Sequence, residues 1–208
     1  MANKVTLSNK TKRTKQELRE ASKHIFWGMR YLSEKLELFL RFSKMANEKE
    51  FNGLLNSIHC SFLIDARKMI EFLYNSVDKL YDNDLIAEDF FENPEIWREL
   101  RPKQPDILKQ TKQDVGKLLA HFTYQVKKYP LGRKTWKTSD IYVDVFIAFQ
   151  IFLDTVNNSL LDEQCNYLRR DNPDIIICYP VFPPEGKAPY QIACTRDVVS
   201  GLEIIVGD

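Results

Sequence analysis

Residues 14–42 read TKQELREASKHIFWGMRYLSEKLELFLRF, and their spacing decides the fold class. Leu18, Ile25, Leu32 and Phe39 recur at intervals of seven, with Ser22, Met29 and Leu36 between them. That repeat is the seam of a long amphipathic helix, because side chains three, four and seven apart share one helical face. Thr14 and Glu17 form a capping box, in which each side chain satisfies the other's backbone N–H. The pattern predicts a helix over roughly 12–45, about 45–50 Å long at 1.5 Å per residue.

The same period continues downstream. Asn47 and Glu50 form a second capping pair, followed by a stripe of Phe51, Leu55, Ile58, Phe62, Met69, Leu73 and Val77, which predicts a helix to about Leu80. Two long helices joined by a few residues must lie antiparallel. Between 81 and 104 the pattern breaks. Asp82-Asn83-Asp84 reads as a turn, Leu85–Phe91 as one or two helical turns, and Asn93-Pro94 as the start of a short helix through Trp97 and Leu100. A third long helix is expected over about 106–128 on Leu108, Val115, Leu119, Phe122 and Val126, ended by Pro130-Leu131-Gly132. Ser139-Asp140 then opens a fourth, apolar on several sides, to about Arg170. From Asp171-Asn172-Pro173 the character changes to β-branched runs at Ile175–Tyr179, Tyr190–Thr195 and Leu202–Val206. The expected architecture is mostly α. Residues 1–11 form a flexible tail, 12–170 an up-and-down bundle of four long helices with a short helical insertion, and 171–208 a small strand-bearing extension packed on it.

Composition narrows the function classes. The chain has 208 residues and 44% apolar content, enough to bury a core without disulfides or metals. No apolar run reaches the roughly 20 residues of a membrane span, and the Lys-rich N-terminus has no apolar core of a signal peptide. Cys60, Cys165, Cys178 and Cys194 form no C-x-x-C pair, which fits reduced thiols in the cytoplasm. His24, His59 and His121 are scattered, without metal-ligand spacing, and no cofactor motif is present. A formal net charge of +1 excludes a protein that coats a polyanion with its whole surface, so any nucleic-acid contact must be a local patch. Such a patch exists. Residues 101–137 hold ten Lys/Arg against Asp106 and Asp114, whereas 78–99 hold eight Asp/Glu against Lys79 and Arg98.

The titratable residue of the basic segment is His121. With Phe122 at the centre of the third helix's apolar face, His121 falls about 100° away, at the edge, with Lys117, Gln125 and Lys128 on its side. Neighbouring cations favour a neutral imidazole, suited to a general base acting on an anionic substrate. A structural histidine that only closes the core fits the same position. On the second helix, Arg67 has the planar donor fork that matches phosphate, and it also stands four residues before Glu71, a helical ion-pair spacing. Glu88 and Asp89 are candidate orienting partners for His121.

FLIDARKMIEFLY (62–74), DNDLIAEDFF (82–91) and KLLAHFTY (117–124) together resemble small bacterial helical proteins similar to the HEPN domains of toxin–antitoxin and abortive-infection systems. The resemblance covers roughly residues 50–130. It implies a homodimer that brings two histidine motifs together, and metal-independent attack by a ribose 2′-hydroxyl promoted by a histidine and an arginine. His121 matches the histidine. The arginine belongs at 114, 115 or 116, where this chain has Asp114, Val115 and Gly116. Either Arg67 or Lys117 takes its place, or the fold is HEPN-like without nuclease activity. The catalytic set expected on this basis is His121, Arg67 and Lys117, with RNA bound along 101–137. A homodimer through the long helices is also expected from the large apolar groups Phe26, Trp27, Tyr31 and Phe42, which lie off the first helix's main seam. The competing expectation is a non-catalytic module, an antitoxin or regulatory subunit, docking a cognate partner protein.

Overall fold

The computed structural model describes residues 12–43, 49–76, 84–118 and 136–169, together with the backbone of 175–176 and 194–195. The protein is mostly helical, with α1 at Lys15–Ser43, α2 at Lys49–Tyr74, α3 at Pro94–Leu100, α4 at Asp106–Leu118 and α5 at Thr138–Thr155. The N-terminal tail 1–11, the Asn47 cap, the Asp82-Asn83 turn, the third helix beyond 118, the 130–134 loop and most of 171–208 lie outside the described residues. Within 171–208, Ile175–Ile176 (β1) pairs antiparallel with Cys194–Thr195 (β2), Ile175 opposite Thr195.

The α1 capping box forms as its sequence dictates. Thr14 N donates to Glu17 Oε2 at 2.7 Å, and Glu17 N donates to Thr14 Oγ1 at 3.2 Å. Leu18, Ser22, Ile25, Met29, Leu32 and Leu36 are buried along the predicted seam. From Met29 onward this seam packs along α2, whose Phe62, Leu63, Ala66, Met69, Ile70 and Leu73 are buried in turn. The pair runs antiparallel, since Gly28 meets Met69, Lys35 meets Asp65 and Phe39 meets His59. A Cβ on Gly28 would lie 3.1 Å from Met69 Sδ, so the glycine lets the helices approach closely. By the same reasoning α4 opposes α2 (Arg67 at Gly116, Asn75 at Lys112), while α5 runs with α2 (His59 at Thr138, Phe72 at Phe152).

Several predicted boundaries are corrected. α2 stops at Tyr74 and not near Leu80, because Asn75 and Ser76 follow, residues whose side chains compete for backbone hydrogen bonds. The 85–91 stretch is a single 3-10 turn, Ala87–Phe90. α5 begins at Thr138, so Lys137 and neither Ser139 nor Asp140 stands at the cap. It ends at Thr155, well short of Arg170. Asn157 Oδ1 accepts from Ser159 N at 3.0 Å and Asp162 Oδ1 from Gln164 N at 3.1 Å, and each starts a 3-10 turn (Asn158–Leu160 and Glu163–Leu168). These turns fold onto α1. Buried Ser22 accepts from Asp162 N at 2.7 Å, and the Cys165 thiol donates to Ser22 O at 3.6 Å. A small polar residue in the α1 seam is what makes room for them.

The insertion closes one end of the bundle. Asn93 caps α3 by accepting from Glu95 N at 3.0 Å, with Pro94 in the first turn. Trp97 is fully buried, and its Nε1–H donates to Leu73 O, one of the carbonyls α2 leaves unpaired at its C-terminus, at 2.9 Å. The Phe152 ring of α5 gathers Phe72, Phe90 and Trp97 edge to face at 5.1, 5.4 and 5.7 Å.

Candidate functional site

α4 is anchored through buried Leu108 and Val115, and it also buries the polar Thr111 and Asp114. Asp114 accepts from Gln110 Nε2, one turn back, at 2.7 Å. That arrangement brings the adjacent Gly116 against α2. A glycine inside a helix costs about 0.8–1 kcal/mol relative to alanine, so its presence needs a reason. The reason is Arg67. A Cβ on Gly116 would lie 2.8 Å from Arg67 Nη1, 3.3 Å from Cζ and 3.7 Å from Nη2, so the guanidinium rests directly on the helix backbone.

Arg67 also pairs with Glu71, as the i,i+4 spacing allows, Nε donating to Oε1 at 2.9 Å. The two readings of this arginine are therefore compatible. Glu71 occupies the Nε edge, and among the described residues Nη1 and Nη2 donate to nothing. The side chain keeps 27% of its surface exposed. Lys117, half-buried, follows Gly116 directly on α4. Of the three predicted site residues, Arg67 meets α4 at Gly116, Lys117 is the next residue along α4, and His121 lies outside the described residues.

Glu88 and Asp89, expected as orienting partners of His121, also serve local structure, while His121 itself lies outside the described residues. Glu88 is buried and takes a two-pronged ion pair from Arg98, Nε to Oε1 at 2.8 Å and Nη2 to Oε2 at 2.9 Å. Asp89 accepts from Ile86 N at 3.1 Å and caps its own 3-10 turn. In the basic segment, Arg101 lies over the Tyr74 ring at 5.8 Å, Lys109 pairs with Asp106 at 2.8 Å, Lys112 bonds Asn75, and Lys103 and Lys137 are exposed. The predicted separation of charge is real in sequence, but part of it on each side serves local structure.

Two features had no sequence signal. His59 stacks on Phe39 at 4.6 Å and shares a 3.0 Å hydrogen bond with Thr138 Oγ1 at the start of α5. Burial lowers its pKa and holds the ring neutral at neutral pH. Nothing in spacing marks it, because the partners come from two other helices. Tyr74 is the second. Its buried hydroxyl has no hydrogen-bond partner among the described residues, and burial, with the Asp144 carboxylate nearby, pushes its pKa up to about 12 against the opposing effect of Arg101. Burial, with Asp140 adding to it, also raises the pKa of Asp144.

On the outer side of α1, Trp27 and Tyr31 are 38% and 46% exposed, with rings 5.5 Å apart and Arg30 over Trp27 at 5.3 Å. Phe26, expected with them off the seam, is buried and packs edge-on against Trp27 at 5.3 Å. Among the described residues no helix is long and apolar enough to cross a membrane, and no three His, Cys, Asp or Glu side chains form a group able to hold a metal ion. No protein-family model, curated protein or solved structure matches this chain.

Proposed function

We propose that this chain is a HEPN-like, RNA-binding protein of bacterial defence or toxin–antitoxin type, working in the cytoplasm as a homodimer and cleaving RNA without a metal ion. The architecture that goes with this reading is an up-and-down bundle of four long helices, with 171–208 as a strand-bearing extension. The observation that carries it is the Arg67 guanidinium lying on Gly116. Position 116 is where the HEPN motif would set its arginine, with four residues between it and the histidine, and α2 supplies a guanidinium to that spot from outside the motif.

The chemistry follows from the residue types. His121 accepts the proton of a ribose 2′-hydroxyl as its oxygen bonds to the neighbouring phosphorus. The bond from phosphorus to the 5′-oxygen breaks, and that oxygen leaves with a proton from water. Arg67 and Lys117 stabilise the negative charge that builds on the phosphoryl oxygens, an effect worth a few kcal/mol for preorganised donors. The products are a 2′,3′-cyclic phosphate and a 5′-hydroxyl. The test is incubation of wild type and His121→Ala with total RNA in EDTA, with thermal melts alongside. Cleavage by wild type to cyclic-phosphate ends, lost in a variant that melts normally, supports the mechanism. Intact RNA in both removes it.

A second reading has its own support. Exposed Trp27 and Tyr31, flanked by Arg30, are the residue types that dominate protein interfaces. With no arginine at 114–116 in the chain itself, they favour a non-catalytic module that docks a cognate partner protein.

A further inference from the structure

We infer that Gly116 is a seat for Arg67: the missing side chain lets the guanidinium lie on α4, where its Nη1/Nη2 edge takes a phosphodiester of single-stranded RNA. This rests on the RNA-binding reading and adds to it a positioning residue that never touches the ligand. Gly116 has no backbone torsion reserved for glycine and is buried within α4, so its conformation does not demand it. Gly53, on α2, offers a contrast, since a Cβ there would meet nothing within 4 Å. At 116 the atoms that a Cβ would strike all belong to one guanidinium.

The other end of that group is fixed as well. Glu71 holds Nε at 2.9 Å, so the planar fork is oriented before any ligand arrives, and among the described residues its two terminal nitrogens donate to nothing. Two parallel N–H donors match two phosphate oxygens, which a point-charge ammonium does not reproduce. The carboxylates nearby in sequence have work of their own, Glu71 on Nε and Asp114 on Gln110. Lys117 adds positive charge next to the seat.

The experiment is fluorescence anisotropy of a labelled single-stranded oligouridylate with full-length wild type, Gly116→Ala, Arg67→Ala, Arg67→Lys and the Gly116→Ala/Arg67→Ala double variant. Arg67 is a flexible chain end that can swing away from an alanine methyl, so Gly116→Ala should melt at or above the wild-type temperature. It should nevertheless bind about tenfold more weakly, as should Arg67→Ala. Because glycine acts through arginine, the double variant should bind no more weakly than Arg67→Ala alone. Arg67→Lys should lose most of the affinity, and it tests the fork without altering Gly116. If wild type binds while Gly116→Ala binds equally well and Arg67→Ala does not, the seat is refuted and the RNA reading stands. Full affinity in Arg67→Lys refutes the fork. If wild type does not bind the probe, the RNA reading falls and the seat's ligand with it.

Discussion

Trp97 is the residue on which the insertion's attachment to the bundle depends most. Its side chain is fully buried, its Nε1–H caps the Leu73 carbonyl at 2.9 Å, and its ring meets Phe152 at 5.7 Å and stacks on Phe91 at 5.8 Å. Replacement by alanine opens a cavity the size of an indole and should cost about 3–5 kcal/mol. Trp97→Phe keeps most of the ring packing. It loses the hydrogen bond, worth about 1 kcal/mol, and some burial, so its cost should be about 1–2 kcal/mol. The Leu73 carbonyl then keeps only the 3.4 Å contact from Arg101 Nη1 among these two donors. Urea unfolding followed by circular dichroism measures both differences. Trp97 is fully buried while Trp27 is exposed and Trp136 half-buried, so the Phe variant should also lose the most blue-shifted part of the tryptophan emission. A cost below about 1 kcal/mol for alanine, or equal costs for both variants, would refute the packing described for this end of the bundle.

His59 makes stability depend on pH. Its folded pKa is lowered by burial, so the unfolded chain binds more protons, and the contribution present above about 6.5 is lost as pH falls toward the folded value. Asp144, whose pKa is raised, acts in the opposite direction at lower pH, so the comparison must be with His59→Gln, whose melting temperature should vary less between pH 7 and 5. Equal slopes in both proteins would contradict it. Tyr74→Phe removes a buried hydroxyl that has no partner among the described residues and should leave the melting temperature unchanged or raised, whereas a clear drop would show that the hydroxyl is bonded. Light scattering at micromolar concentration should give about twice the 24.5 kDa chain mass, reduced to a single chain by Trp27→Ala/Tyr31→Ala; a wild-type monomer would end the dimer proposal.

The helices were legible because burial follows period. Leu18, Ile25 and Leu32 of the α1 heptad and Phe62, Met69 and Leu73 of the α2 stripe are buried as predicted, the Thr14 cap forms with Glu17, and Asn93 starts α3. Ends were less legible where apolar spacing continues past a local competitor. Leu160, Leu161 and Cys165 suit an extended α5, yet Asn157 and Asp162 draw the backbone into tighter turns that Ser22 receives. The charge pattern did not mark that one carboxylate of the acidic run, Glu88, folds inward onto Arg98. Arg67 was recognisable as a phosphate-type donor, but its seat was not. A glycine within a helical stretch says only that something lies close, and the group lying on Gly116 starts 49 positions earlier in the chain. His59 had no signal at all, because its environment is assembled from α1 and α5.

Membership of Arg67, lying on Gly116, in an RNA-binding surface is read by equilibrium binding of single-stranded RNA across a salt series. Neutralising phosphates releases counterions, so log K should fall linearly with log salt, and removing one phosphate contact with Arg67→Ala should make that slope shallower by about 0.7. Absence of RNA affinity even at low salt, or a slope that Arg67→Ala leaves unchanged, would contradict the account.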